Sequence, residues 1–515
     1  MAHYANPTVV EKELAALKTF WHSKLDRFQV HTPDDNFNQM VNVWNAYQCF
    51  ITFIWSRAAS FQYCGLRNGL GYRDTVQDIQ GIIHLDHELA SGRLRLMLSA
   101  QVSNGGGLPL VTFDHRPGEE GTPDDPEYVQ KTGHPSYRAD DALWLFPTTI
   151  KYLKESGNWG FIDEVIPYSD KGEDTVYLHL KRALTFSLER MGVHGMPVGL
   201  HADWNDCLRL GAKGESLFVA FQLYMAYRTF IEIAERKQQT DDVAWAQGLL
   251  AELDKSIQEH AWEEDQFVRG FTEDNYTVGS RYNEEASVWL NPQSWAVLSG
   301  AARPEQAELA MNRVHDNLKT DYGTMLFYPP FKKYGMPVAL MILFNETTKE
   351  NAGIFSQPQG WLIRAETMLG HGNRAFDYFR NCSPASMNDQ AEVRKIEPYV
   401  HGQFVEGKDS PYFGRAHVHW LTGTASTVMV SLTEGIMGVQ PEFDGLRLNP
   451  CVPSEWKEFS MVREFRGKLL TIAVSNPNGV EHGVTSITVN GQEIAGDFIP
   501  EHLLREENDV RVRMG

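Results

Sequence analysis

The stretch His417-Val-His-Trp-Leu-Thr-Gly-Thr-Ala-Ser-Thr-Val-Met-Val-Ser-Leu-Thr-Glu-Gly-Ile-Met437, followed by Gly438, divides the chain into two kinds of pattern. Its apolar residues recur at three-to-four spacing, as on a helix with one buried face. Beyond Gly438 the pattern changes. Residues 469–474 and 484–489 read as short strands, and Asn490-Gly491 after the second is a hairpin turn signal. Residues 439–515 are therefore expected to form a small antiparallel β-domain, and the chain before them to be mainly α.

Working back from residue 417, the helical spacing recurs at 9–28, 36–57, 89–101, 141–157, 176–191, 215–236, 241–262, 286–300, 304–318 and 359–369. Many helices joined by loops suggest paired helices around a ring. No sequence repeat is visible, so a twelvefold pairing is not readable from spacing. The stretch 103–140 is different, with Gly105-Gly106-Gly107, several prolines, a run of acids and no periodicity. Loops this long are usually functional or disordered, and a covering loop at a site mouth is the reading adopted. The expected division is 1–35 as a linker helix region, 36–438 as a catalytic domain and 439–515 as the β-domain.

At 515 residues the chain exceeds one ordinary core. A composition 42% hydrophobic and 22% charged excludes disorder and fibrous repeats. There are 47 Lys and Arg against 67 Asp and Glu, a formal charge of −20. That excess argues against nucleic acid and acidic membrane surfaces as partners. The apolar run 49–55 is well short of the roughly 20 residues that span a bilayer, and the N-terminus carries no secretion signal. Five scattered cysteines (Cys49, Cys64, Cys207, Cys382 and Cys451) lack metal-like pairing. The chain reads as cytoplasmic and reduced.

The densest polar and aromatic segment is Gly199-Leu-His-Ala-Asp-Trp-Asn-Asp-Cys207. A Trp beside carboxylates suits a sugar, because the indole packs on the ring while a desolvated acid, its pKa raised, gives a proton to the glycosidic oxygen. Capping of the helix that follows is the competing reading for the two acids. Arg67, Arg73, Asp74 and Asp78 lie among glycines, where backbone and charged groups together can reach hydroxyls; surface salt bridging is the alternative. The glycine triplet is followed by no Gly-Lys-Ser/Thr and is not a phosphate loop. Around Thr422-Gly423-Thr424, helix-start amides and hydroxyls suit an anion, or else cap the helix in the ordinary way. His401, His417 and His419 lack a zinc-type spacing, so no metal is expected. Serine- and cysteine-nucleophile signatures are absent.

Taken together these segments resemble the inverting disaccharide phosphorylases of glycoside hydrolase family 94. The matching text is Gly71-Tyr-Arg-Asp74 with Gln77-Asp78, Ala202-Asp-Trp-Asn-Asp206-Cys-Leu, Leu290-Asn-Pro-Gln-Ser-Trp-Ala-Val-Leu-Ser-Gly300, Lys349-Glu-Asn-Ala-Gly-Ile-Phe355, Ile396-Glu-Pro-Tyr-Val400 and Trp420-Leu-Thr-Gly423. The resemblance implies an (α/α)6 barrel with a C-terminal β-domain. It implies that Asp206 is the general acid, that Arg67, Arg73, Asp74 and Trp204 hold the donor sugar, that Glu397 serves the acceptor, and that Thr422 and Gly423 hold phosphate. Two departures stand out. The family's large N-terminal β-sandwich, which helps form its dimer, is not found ahead of the linker helix, so a fragment is expected and a homodimer is left open. Gln357 stands where a phosphate-binding His is usual, and a compensating arginine such as Arg209 or Arg228 is looked for.

The function implied is reversible phosphorolysis of a β-linked disaccharide of the cellobiose, cellobionate or chitobiose type. Asp206 protonates the glycosidic oxygen while inorganic phosphate, the co-substrate, attacks the anomeric carbon from the opposite face, giving an α-sugar 1-phosphate. No organic cofactor or metal is required. An inverting β-glycosidase on the same barrel, with Glu397 activating water, and a silent carbohydrate-binding fragment are the alternatives.

Overall fold

The computed structural model describes residues 3–57, 69–333, 335 and 340–515. Helix α1 (Pro7–Leu25) starts where the Asn6 side chain accepts the Thr8 N–H at 3.0 Å, and it buries none of its residues. The expected helix over 36–57 forms in three joined pieces: Asp35–Gln39, a wide π-type turn Met40–Trp44, and α2 (Asn45–Trp55). There follow α3 (Tyr72–Ile79), α4 (His87–Ser99), α5 (Leu145–Ser156), α6 (Val176–Leu188), α7 (Leu217–Arg236) and α8 (Thr240–His260). The series ends with α9 (Leu290–Ser299), α10 (Pro304–Leu318), α11 (Gln357–Met368), α12 (Gly372–Cys382) and α13 (Thr424–Val430).

The odd-numbered helices from α3 onward pack on one another: α3 on α5, α5 on α7, α7 on α9, α9 on α11, α11 on α13, and α13 on α3. The even-numbered ones lie against them, α2 on α3, α4 on α5, α6 and α8 on α7, α10 on α9 and α12 on α11. Burial follows that alternation. Helix α7 buries 14 of its 20 residues, whereas α8 buries only Ala246, Leu253 and Ile257 of its 21. A helix apolar on all sides belongs in the interior, one with a single apolar stripe belongs outside it. This also explains why α7, with a mean hydropathy of 1.2, is long and apolar enough to cross a membrane: 78% of that stretch is buried by its neighbours.

Three sequence expectations need correction here. Residues 417–437 are not one helix: Ala416–His419 is a strand paired with Gly402–Val405, which pairs in turn with Ile354–Phe355, and the helix begins only at Thr424. Val418 and Trp420 adopt positive φ (55° and 70°), so the backbone turns away before the helix can start. Likewise α9 begins at Leu290 because Val288–Trp289 pairs with Phe327–Tyr328. The short helices α3 and α12 were not anticipated.

The C-terminal part holds a six-stranded sheet in the order Phe28–His31, Glu458–Phe465, Lys468–Ser475, Glu507–Met514, Val484–Val489, Gln492–Ile494. It is not purely antiparallel, since Lys468–Ser475 runs parallel to Glu507–Met514. One of its edge strands, Phe28–His31, comes from the other end of the chain, directly after α1. Asn490 and Gly491, at φ of 51° and 84°, make the tight turn expected of that pair. The sheet is tied to the helical body by Arg463, which is buried, ion-pairs with Glu155 on α5 and donates to the His84 carbonyl at 3.2 Å.

Candidate active site

The segment between α6 and α7 separates its two acids by role. Asp203 is buried, accepts from Arg269 Nη2 at 2.8 and 2.6 Å and from Ser216 Oγ at 2.6 Å, and takes the Asn205 N–H at 2.9 Å. Ser216, not either acid, caps α7 by accepting the Val219 N–H at 3.2 Å. Capping is therefore not what these acids do. Asp203 is the strut that holds the turn, and it leaves Trp204 and Asp206 bordering a cavity of about 390 Å³.

Trp204 is 7% exposed, braced edge-on by Phe355 and Trp361 with ring centroids 5.0 and 5.2 Å away. Asp206 is gripped by two guanidiniums: Arg73 Nη2 donates to its Oδ1 at 2.7 Å and Arg138 Nε at 3.0 Å. Burial pushes the Asp206 pKa upward, but Arg73 and Arg138 outweigh it and hold the carboxyl well below the usual carboxylate range. Arg73 itself is fixed on α3, donating also to Asp140 at 2.9 Å and to the Asp203 carbonyl at 2.6 Å. It is an interior ligand of the acid, not a surface salt bridge. A Cβ on Gly71 beside it would stand 2.6 Å from Asp74 Oδ2 and would have to displace that carboxylate.

Glu350, in the Lys349-Glu-Asn segment, also lines the cavity and accepts the Cys207 N–H at 3.1 Å. Burial and the neighbouring Asp206 charge push its pKa up to about 7. Two carboxyls on one cavity thus differ in ionisation. The stretch 103–140 supplies Pro109, Leu110, Gly133, His134 and Arg138 to the wall; it is not structureless, since Leu110–Thr112 is a strand paired with Gly69–Gly71 and Pro126–Thr132 is a helix.

Gln357, the first residue of α11, also lines the cavity; it accepts from Arg57 Nη1 at 3.0 Å and donates to Gln77 Oε1. Arg57 lines the cavity and also pairs with Asp78 at 3.0 Å and Asp74 at 3.2 Å. Burial raises the Asp78 carboxyl to about 6 in spite of Arg57. Thr422 and Gly423 stand behind this wall, not on it. The Thr422 hydroxyl accepts the Thr424 N–H at 3.2 Å, an ordinary local cap, and a Cβ on Gly423 would come within 2.7 Å of both Arg57 and Gln357.

Of the anticipated residues, Arg73, Asp74, Trp204, Asp206 and Gln357 meet at the cavity. Glu397 does not line it: the carboxylate is half exposed and ion-pairs with His419 Nδ1 at 2.6 Å. Arg67 lies outside the described residues. Arg209 borders the cavity and donates to the His201 carbonyl, whereas Arg228 donates to the Ser299 carbonyl at 2.7 Å and is not part of the wall. Sequence reasoning missed Arg57, Arg138, Asp141 and Glu350. Glu350 had a signal, its place in a matching motif; Arg57 and Arg138 had none.

A profile described as the glycosyl hydrolase 94 superfamily, catalytic domain, matches residues 20–438. The chain belongs to this family. Residues 441–495 match the C-terminal domain of glycosyl hydrolase family 65. Among characterised family 94 relatives, an N,N'-diacetylchitobiose phosphorylase of Vibrio furnissii is 38% identical over 100% of this chain. A solabiose phosphorylase of Paenibacillus borealis is 29% identical over 96% of it. The chain spans 65% and 61% of those relatives' own lengths. Among solved structures, a sialidase superposes with a TM-score of 0.59 at 12% identity, covering 94% of this chain and 42% of that one. A family 78 rhamnosidase of Bacillus sp. GL1 gives 0.57 at 13% identity over 88% and 43%. At such identities these two likenesses concern the fold alone.

Proposed function

We propose that this family 94 chain carries the reversible, inverting phosphorolysis of a β-linked disaccharide. The observation that carries the proposal is the lining of one sugar-sized cavity, which combines an indole and a carboxylate with an arginine-backed anion site. Trp204 and Asp206 line it together with the Arg57–Gln357 pair, which Gly423 backs. The names of the relatives support it, all three of the phosphorylases from Vibrio furnissii, Paenibacillus borealis and Neurospora crassa being disaccharide phosphorylases.

In this reading the donor ring stacks on Trp204, with Arg73 and Asp74 at its hydroxyls. Phosphate binds at Arg57 and attacks the anomeric carbon as the bond to the glycosidic oxygen breaks; Asp206 gives that oxygen its proton. The products are an α-sugar 1-phosphate and a free acceptor, whose side Glu397 is proposed to serve. One catalytic carboxylate suffices because phosphate is an anionic nucleophile at pH 7. A hydrolase would need a second carboxylate about 6.5–9.5 Å from the first to activate water. Incubation with cellobiose or chitobiose, with and without phosphate, tests the proposal. Sugar 1-phosphate that forms only with phosphate supports it, and free sugar alone in both arms overturns it.

We also propose that the α3, α5, α7, α9, α11 and α13 neighbours close an inner ring, with α2, α4, α6, α8, α10 and α12 outside, as an (α/α)6 barrel. The pairwise packing and the alternation of burial support this. The cytoplasmic setting belongs to the same proposal, supported by the unpaired state of Cys49, Cys207, Cys382 and Cys451.

A further inference from the structure

An acid catalyst must carry a proton, yet in this structure Asp206 is held ionised by two arginines. The two are not equivalent. Arg73 is anchored at Asp140 and at the Asp203 and Trp204 carbonyls as well as at Asp206, and it is 6% exposed. Arg138, in the 103–140 stretch, has one side-chain hydrogen bond among the described residues, from Nε to Asp206. Only Arg138 can let go cheaply.

A further carboxyl, besides Asp74 and Glu350, borders the same cavity within the field of that arginine. Asp141 is 1% exposed, and neither of its oxygens has a hydrogen-bond partner among the described residues. A buried polar group left unpaired in a native structure calls for an explanation. The groups around it are Arg138, Asp140, Arg73, Asp74 and the buried phenols Tyr72 and Tyr128. Those facing Asp206 are Arg73, Arg138, Glu350, Cys207 and His201.

We propose that Arg138 is a positioning residue that alternates between two carboxylates, resting on Asp206 in the empty enzyme and moving to Asp141 when a donor sugar fills the cavity. The proposal rests on the phosphorolytic reading above and deepens it. Burial, reinforced by Asp140 and Asp74, raises Asp141 to about 8 against the pull of Arg138 and Arg73, so near pH 7 it holds a proton in the empty state. When the guanidinium arrives, Asp141 releases that proton; when it departs, Asp206 takes one up. The proton count of the pair does not change. The proton later given to the glycosidic oxygen is therefore already present before substrate arrives.

The alkaline limb of kcat for phosphorolysis reports the ionisation of the acid in the substrate complex. Asp141→Asn removes the second resting place, so that limb should move down by about one pH unit, with kcat at pH 8 falling about tenfold and the disaccharide KM changing little. Arg138→Gln should not move the limb down, and in that background Asp141→Asn should have no further effect on it. An unmoved limb in Asp141→Asn, or an equal downward shift with Arg138→Gln already present, overturns the proposal. Circular dichroism confirms that each variant is folded. If the unmodified protein forms no sugar 1-phosphate, the functional reading has failed. The exchange is then read by carbon-13 NMR titration of the side-chain carboxyls with and without glucose or N-acetylglucosamine. Asp206 and Asp141 pKa values that do not change in opposite directions with either sugar overturn it.

Discussion

Arg57 Nη1 donates to Gln357 Oε1 at 3.0 Å, joining residues 300 apart in sequence across the wall of the cavity. Arg57, two residues beyond the end of α2, brings a positive charge to the side of this glutamine. Arg57 is partly neutralised by Asp74 and Asp78, and the Gln357 amide is already engaged at both ends.

Replacement of Arg57 by Met should raise the phosphate KM at least tenfold, since a hydrogen bond to a charged group is worth about 1.5–3 kcal/mol. Gln357→His should lower the phosphate KM. Steady-state kinetics at varied phosphate reads both; no change in phosphate KM for either variant would mean the anion binds elsewhere.

Asp206→Asn should reduce phosphorolysis and synthesis together by about 10²–10⁴-fold, the usual contribution of a general acid. The fold should persist, because Asp203, not Asp206, braces the turn. Retention of more than about a tenth of the activity, 1.4 kcal/mol on the barrier scale, would remove Asp206 from that role.

Trp204→Ala should raise the KM for the donor sugar and leave that for phosphate within about twofold, as the indole offers a ring to stack on and no positive charge for an anion. Arg73→Ala should act on kcat as well, because Arg73 orients Asp206 besides facing the sugar. A raised phosphate KM with an unchanged sugar KM in Trp204→Ala would contradict the placement.

Glu350 links the site to stability. Its folded-state pKa of about 7 lies above the ordinary glutamate value of 4.5, so the folded protein keeps a proton that the unfolded chain releases. The contribution is fully present below pH 4.5 and is lost as pH rises through 7. Urea unfolding at pH 5 and pH 8 should show a loss on the order of 1–3 kcal/mol from this group, smaller in Glu350→Gln. An equal pH dependence in the two proteins would show that Glu350 ionises normally.

Arg463→Met should destabilise the chain by about 3–5 kcal/mol, because it leaves Glu155 charged and buried on α5. Adding Glu155→Leu should recover most of that loss. Chemical denaturation of the single and double variants measures it.

Local pattern alone carried much of the architecture. The 304–318 helix was legible to the residue, since Pro304 opens it and its apolar spacing is regular. The Asn490-Gly491 hairpin was legible because few other residue pairs accept two consecutive positive φ values. The 417–437 segment was not, because residues 416–419 pair with the distant strand Gly402–Val405, and Val418 and Trp420 take left-handed backbone there.

At the site, the sequence determined which chemistry is present. A tryptophan two residues before an aspartate, and an Arg-Asp pair among glycines, are readable as text. Which carboxylate is ionised, which arginine stands beside Gln357, and which aspartate merely braces a turn were decided by tertiary structure. Arg57, Arg138 and Asp141 come from separate stretches of chain and meet at a cavity only when the helices pack. Ionisation in a cavity is set by burial and by charges a few ångströms away, and those neighbours are assembled by packing from residues that sequence order keeps apart.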